Sequence, residues 1–124
     1  AQYAAVEALR GPQDTVECMR QAFDSRRKLL CGLINETDGL SCGVPGGAFY
    51  VMMDISKTKG KAYSGEAITG SLGFTELLLK YAEVAVVPGI SFGADDYVRL
   101  SYAASEEAIR KGMERIRTFV QALA

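Results

Sequence analysis

Val84-Ala85-Val86-Val87-Pro88-Gly89-Ile90-Ser91-Phe92-Gly93 and, after three further residues, Tyr97-Val98-Arg99-Leu100-Ser101-Tyr102-Ala103 decide the reading of this chain. Val84 to Val87 is a short apolar run, which predicts a strand, and Pro88-Gly89 ends it. Ile90 to Asp96 reads as a loop carrying Phe92-Gly93. Tyr97 to Tyr102 alternates, so a second strand follows, with Val98, Leu100 and Tyr102 on one face and Tyr97, Arg99 and Ser101 on the other. Ser105 is a good helix cap with Glu106 and Glu107 in the first turn. The helix it starts lines up Ile109, Met113, Ile116, Val120 and Leu123, the strongest amphipathic signal in the chain.

Working outward, Phe74 to Tyr81 predicts a helix, and the polar stretch Ser56 to Gly65 predicts an exposed loop. Ala48 to Ile55 is rich in β-formers and reads as a mostly buried strand. Pro45-Gly46-Gly47 before it is a turn signal, and Leu40 to Val44 predicts a short strand. A long helix runs from Pro12, suited to a first helical position, to about Asn35. Val16, Met19, Phe23, Leu30 and Leu33 recur along it at helical spacing, and Arg26-Arg27-Lys28 reads as a solvated face. Gln2 to Leu9 predicts the tail of an earlier helix. The expected fold class is α+β, an α/β two-layer sandwich: a small, mostly antiparallel sheet covered by helices, chiefly the long helix and the last one.

The chain has 124 residues, 48% hydrophobic and 23% charged, with a net charge of −1. Those values predict one domain over residues 1–124 and argue against a nucleic-acid partner. Histidine is absent, which excludes Ser-His-Asp and Cys-His catalysis within these residues, as well as HExxH zinc sites. No apolar run approaches the roughly 20 residues that span a membrane. No secretory signal precedes the first helix, and the chain begins at Ala1 without methionine; the expectation is a cytoplasmic chain that has been processed or cut from a longer one. Cys18, Cys31 and Cys42, odd in number and widely spaced, predict reduced, semi-buried thiols.

Few residues present themselves for chemistry. Gly65 to Ser71 has the glycine spacing of a phosphate loop but lacks the lysine after its second glycine. Arg99 sits mid-strand among apolar residues, where a guanidinium is rarely buried without a partner. Its planar fork suits a carboxylate. Three readings stay open: an internal ion pair with an Asp or Glu, Asp95 or Asp96 among them; an edge strand with Arg99 in solvent; or a ligand site.

Taken together, Val84–Gly93, Tyr97–Ala103 and Ser105-Glu106-Glu107 resemble the C-terminal signature of class I aminotransferases, fold-type I pyridoxal-phosphate enzymes of the aspartate aminotransferase kind. Pro45 to Tyr50 resembles the family's glycine-aromatic strand. Gln2 to Leu9 resembles the place where the large domain gives way to the inter-domain helix, which makes residues 1–11 a remnant of that region. The resemblance implies a C-terminal small domain that moves amino groups between an amino acid, aspartate or one similar, and a 2-oxo acid. It implies pyridoxal 5'-phosphate in the parent enzyme, with the Schiff-base lysine outside this chain. Ser56-Lys57-Thr58 lacks the glycine and arginine that follow that lysine in the family. No catalytic residue is expected here, and the isolated chain is expected to be inactive. Arg99 carries over as the grip on the substrate α-carboxylate, and Phe49 as a pocket-lining residue. The implied partners are the large domain and a second subunit of a homodimer. Hinges are expected near Gly11-Pro12 and Gly89. The alternatives are a stand-alone, non-catalytic binding module, or the same domain of a pyridoxal-phosphate lyase or acyl-transfer enzyme.

Overall fold

The computed structural model describes residues 1–124. In chain order the elements are α1 (Gln2–Arg10), α2 (Asp14–Asn35), β1 (Tyr50–Asp54), β2 (Ala62–Tyr63), β3 (Glu66–Ala67), α3 (Ser71–Ala82), β4 (Val87–Pro88), β5 (Tyr97–Ser101) and α4 (Glu106–Gln121). A three-stranded antiparallel sheet runs β1-β5-β4, and β2 and β3 form a separate hairpin. This is the expected α+β arrangement.

Alternation along the strands sets the layers. Val51 and Met53 of β1 and Val98 and Leu100 of β5 are buried on the face that meets the helices. Met52 and Arg99 lie half-buried on the opposite face. Helix α4 packs across with Ile109, Met113, Ile116, Phe119 and Val120 buried. Each such side chain contributes about 1.5–3 kcal/mol on burial. The Ser105 hydroxyl accepts from the Ala108 amide and starts that helix as its type predicts.

Several expectations need correction. Helix α2 buries only Leu30, Cys31 and Ile34, near its C-terminal end, while Val16 and Met19 are exposed. It begins at Asp14 rather than Pro12, and the Gln13 side chain closes the corner, its Nε2 donating to Ala8 O and Gly11 O. Helix α1 has no buried residue. Leu40 to Val44 makes only a single bridge, Ser41 to Asp54, because Leu40 turns into the core while Gly43 to Pro45 leads away. Of the run Val84 to Val87 only Val87 pairs, and the strand continues onto Pro88 instead of ending before it. The stretch Ser56 to Gly65 is not a plain loop. A 3-10 turn at Ser56–Thr58 buries Thr58, whose hydroxyl donates to Ile55 O at 2.7 Å, and the β2–β3 hairpin follows. Cys18 is exposed; only Cys31 and Cys42 are sheltered.

Candidate functional site

Arg99 lies in the middle of the central strand, opposite Met52 of β1 and Val87 of β4. Neighbours on both sides fix its backbone. Its guanidinium carbon sits 5.2 Å from the ring centre of Tyr50 and 4.7 Å from that of Phe92. Both rings present π-faces that attract a cation. Arg99 has no salt bridge and no side-chain hydrogen bond within the chain. A half-buried guanidinium held by apolar contacts alone keeps its whole fork of N–H donors for a planar acceptor.

The acids beside it are committed elsewhere, so the internal pair with Asp95 or Asp96 is ruled out. Asp95 Oδ1 accepts from the Ser71 amide and the Ser71 hydroxyl, both at 2.9 Å. Lys59 Nζ lies 3.3 Å from Asp95 Oδ2 and 2.6 Å from Asp96 Oδ1. The Ser71 bonds, with help from Lys59, hold the Asp95 carboxyl below the usual carboxylate range. Asp96, then Asp95, push the Lys59 ammonium above its ordinary value. Asp95 also settles the glycine motif at Gly65 to Ser71. Its carboxylate occupies the N-terminus of α3, and a Cβ on Gly70 would stand 2.5 Å from Asp95 Oδ2. The anion of that helix end is therefore internal.

Phe92 rides on a 3-10 turn, Gly89–Phe92. The turn closes through Ala94 N to Gly89 O at 2.9 Å and Gly93 N to Ile90 O at 3.1 Å. Gly89 is required by contact. A Cβ there would lie 2.1 Å from Ala94 O and 2.2 Å from Tyr97 O. Such packing makes Gly89 a fixed point of the turn.

Phe49 is exposed and meets Tyr50 edge-on, with ring centres 5.7 Å apart. Tyr50 in turn touches Arg99, so Phe49 stands one ring removed from the guanidinium. The turn before it is held from below. Tyr102 Oη donates to Ala48 O at 2.9 Å and lies 3.2 Å from Gly47 O. Ala48 takes φ +67°, left-handed backbone that a non-glycine residue adopts only under tertiary constraint. Burial pushes the Tyr102 hydroxyl above its ordinary pKa. Sequence reasoning missed Tyr50 as a wall of the site. The signal lay in the register: Tyr50 faces Ser101, diagonally beside Arg99.

None of the three surface concavities, of about 160, 440 and 200 Å³, includes Arg99, although the first is bordered by its strand neighbours Leu100 and Ser101. Among the lysines, Lys59 is engaged by the two aspartates and the others are exposed. No group of three or more candidate metal-ligating residues exists. No helix is long and apolar enough to cross a membrane.

The family model for aminotransferase class I and II matches residues 1–116. The chain belongs to this family. It is 45% identical over 125 residues to an aspartate/prephenate aminotransferase of Cereibacter sphaeroides, covering all of this chain and 31% of that protein. It is 43% identical over 124 residues to the aspartate aminotransferase of Geobacillus stearothermophilus, covering 30% of it. Among solved structures, the aspartate aminotransferase of Rhizobium meliloti matches 99% of the chain with a TM-score of 0.95 at 41% identity. An aromatic aminotransferase of Pyrococcus horikoshii matches 97% with a TM-score of 0.84 at 42% identity. The chain thus spans about 30% of the length of the curated relatives it matches. Membership of the family implies pyridoxal phosphate as the cofactor of the complete enzyme.

Proposed function

We propose that these residues form the small, C-terminal domain of a pyridoxal-phosphate aminotransferase acting on aspartate or a related dicarboxylic or aromatic amino acid, and that Arg99 binds the substrate α-carboxylate. The observation that carries this reading is the unpaired guanidinium between Tyr50 and Phe92, on the sheet face opposite the helices. The bidentate fork fixes both the position and the plane of a carboxylate. Every amino or 2-oxo acid is then anchored alike at that end, whatever its side chain, which presents the Cα–H bond in one orientation. Phe49 and the two rings beside Arg99 shed water from the bound carboxylate and strengthen the pair. The cofactor supplies the electron sink when bound. Its lysine and phosphate contacts belong to the remainder of the enzyme, so the chain alone is inactive.

Exposed Tyr3, Leu9, Val16 and Met19 on α1 and the first half of α2 supply the surface for that remainder and for a second subunit of a homodimer. The test is steady-state kinetics of the complete enzyme carrying this sequence. Arg99→Ala is expected to lose about 2–5 kcal/mol of kcat/KM for amino-acid substrates, roughly 30-fold or more. Arg99→Lys keeps the charge without the fork and should recover only part of that loss. Unchanged kcat/KM in Arg99→Ala refutes the assignment.

A further inference from the structure

We propose that Ser71 and Asp95 are positioning residues for carboxylate recognition, acting on Arg99 through the Gly89–Phe92 turn. The inference rests on the reading of Arg99 given above.

Ser71 is fully buried at the first position of α3. Its hydroxyl has one proton, which it donates to Asp95 Oδ1 at 2.9 Å. That direction leaves its lone pairs for the Ile90 amide, which donates to it at 3.0 Å. Ile90 is the second residue of the turn that carries Phe92. The chain of bonds therefore runs from Asp95 through Ser71 to Ile90, and it ties the turn to the body of the domain. Phe92 stands two residues further on, 4.7 Å from the Arg99 guanidinium carbon.

Phe92 and Tyr50 are all that hold the guanidinium, since no hydrogen bond does. A turn that drifts carries one of those two walls away. The fork then samples orientations in which it cannot donate to a carboxylate along both arms. Lys59 engages both acids nearest Arg99 in sequence, Asp95 and Asp96, which leaves the fork free for a ligand.

The proposal separates binding from chemistry. Ser71 and Asp95 set how often the fork is poised to take the carboxylate, not how a substrate already gripped is oriented, so their loss raises KM and leaves kcat nearly unchanged. In the complete holoenzyme, Ser71→Ala and Asp95→Ala should each raise KM for the amino-acid substrate about tenfold, with kcat within about twofold. The dissociation constant for maleate, an inert dicarboxylate, should rise by the same factor in calorimetry. Asp95→Asn keeps an oxygen acceptor for Ser71 and should stay within about threefold of the parent.

A fall in melting temperature with unchanged KM and maleate affinity would make both residues merely structural and overturn the proposal. So would an Asp95→Asn variant as impaired as Asp95→Ala, because the charge and not the acceptor would then matter. Arg99→Ala, run alongside, separates the two levels. If it binds maleate normally, the carboxylate reading falls and this inference with it. If it loses maleate while Ser71→Ala and Asp95→Ala do not, only this inference falls. Should Ser71→Ala fail to fold, Phe92→Leu removes the ring from an exposed position and must give the same rise in KM; an unchanged KM there overturns the proposal.

Discussion

Replacing Gly89 by alanine tests how rigidly the Phe92 turn is built. The added Cβ would lie 2.1 Å from Ala94 O and 2.2 Å from Tyr97 O, where ordinary contact begins near 3.4 Å. Both oxygens belong to backbone, so neither can swing aside as a side chain would. Ala94 O accepts from Tyr97 N at 3.0 Å, and the Ala94 amide donates to Gly89 O at 2.9 Å. Tyr97 opens the central strand opposite Asp54. Relief therefore requires a shift of about 1 Å in the turn or in the start of β5, with loss of at least one of those bonds. The cost falls at the upper end of overpacking, about 3 kcal/mol. For a chain of this size that lowers the melting temperature by roughly 10 °C. Thermal unfolding by circular dichroism, wild type against Gly89→Ala, measures it. A melting temperature within about 2 °C of the parent would refute the reasoning, since the close approach would then be relieved without cost.

Two further predictions use the titrating groups. Lys28 first, then Arg27, hold the Asp24 carboxyl at about 2, below its ordinary value of about 4. Its folded pKa is depressed, so its stabilisation is present above pH ~4 and is lost as pH falls toward ~2. Asp24→Asn should flatten the dependence of melting temperature on pH across that window, and an unchanged slope would count against the pair. Among the thiols, Cys18 is exposed, Cys31 is buried, and burial together with the neighbouring Cys31 pushes Cys42 up to about 12. N-ethylmaleimide at neutral pH should therefore modify Cys18 alone by peptide mapping, and stoichiometric labelling of Cys42 would contradict that.

The sequence carried the half of the fold in which pattern and packing agree. The alternation of Tyr97 to Ser101 and the apolar stripe after Ser105 each match an element whose buried side chains follow the predicted face. It failed where an element is too short for a period to form. The hairpin strands Ala62–Tyr63 and Glu66–Ala67 have two residues each. Their pairing is set by Gly65 at φ +83° and by the closing bonds of Lys61 and Ala62 to Ile68 and Ala124, not by alternation. Phe119 went unnoticed on α4, although its ring stacks 4.9 Å from that of Tyr63.

At the site, Arg99 was legible because a guanidinium in an apolar strand demands an explanation. Its aromatic walls were not. Tyr50 depends on the register of β1 against β5, and Phe92 on a turn that Gly89 tightens. Adjacency in sequence made Asp95 a candidate partner for Arg99. In space, the open N-terminus of α3 and the Lys59 ammonium offer it stronger donors.

The most direct test of the central claim is a crystal structure of the complete enzyme with a carboxylate substrate analogue bound. The account predicts two guanidinium nitrogens of Arg99 at about 2.7–3.0 Å from the two oxygens of the α-carboxylate, with the guanidinium still between Tyr50 and Phe92. An analogue bound away from Arg99, or Arg99 paired with an acid from elsewhere in the enzyme while the analogue is bound, would contradict it.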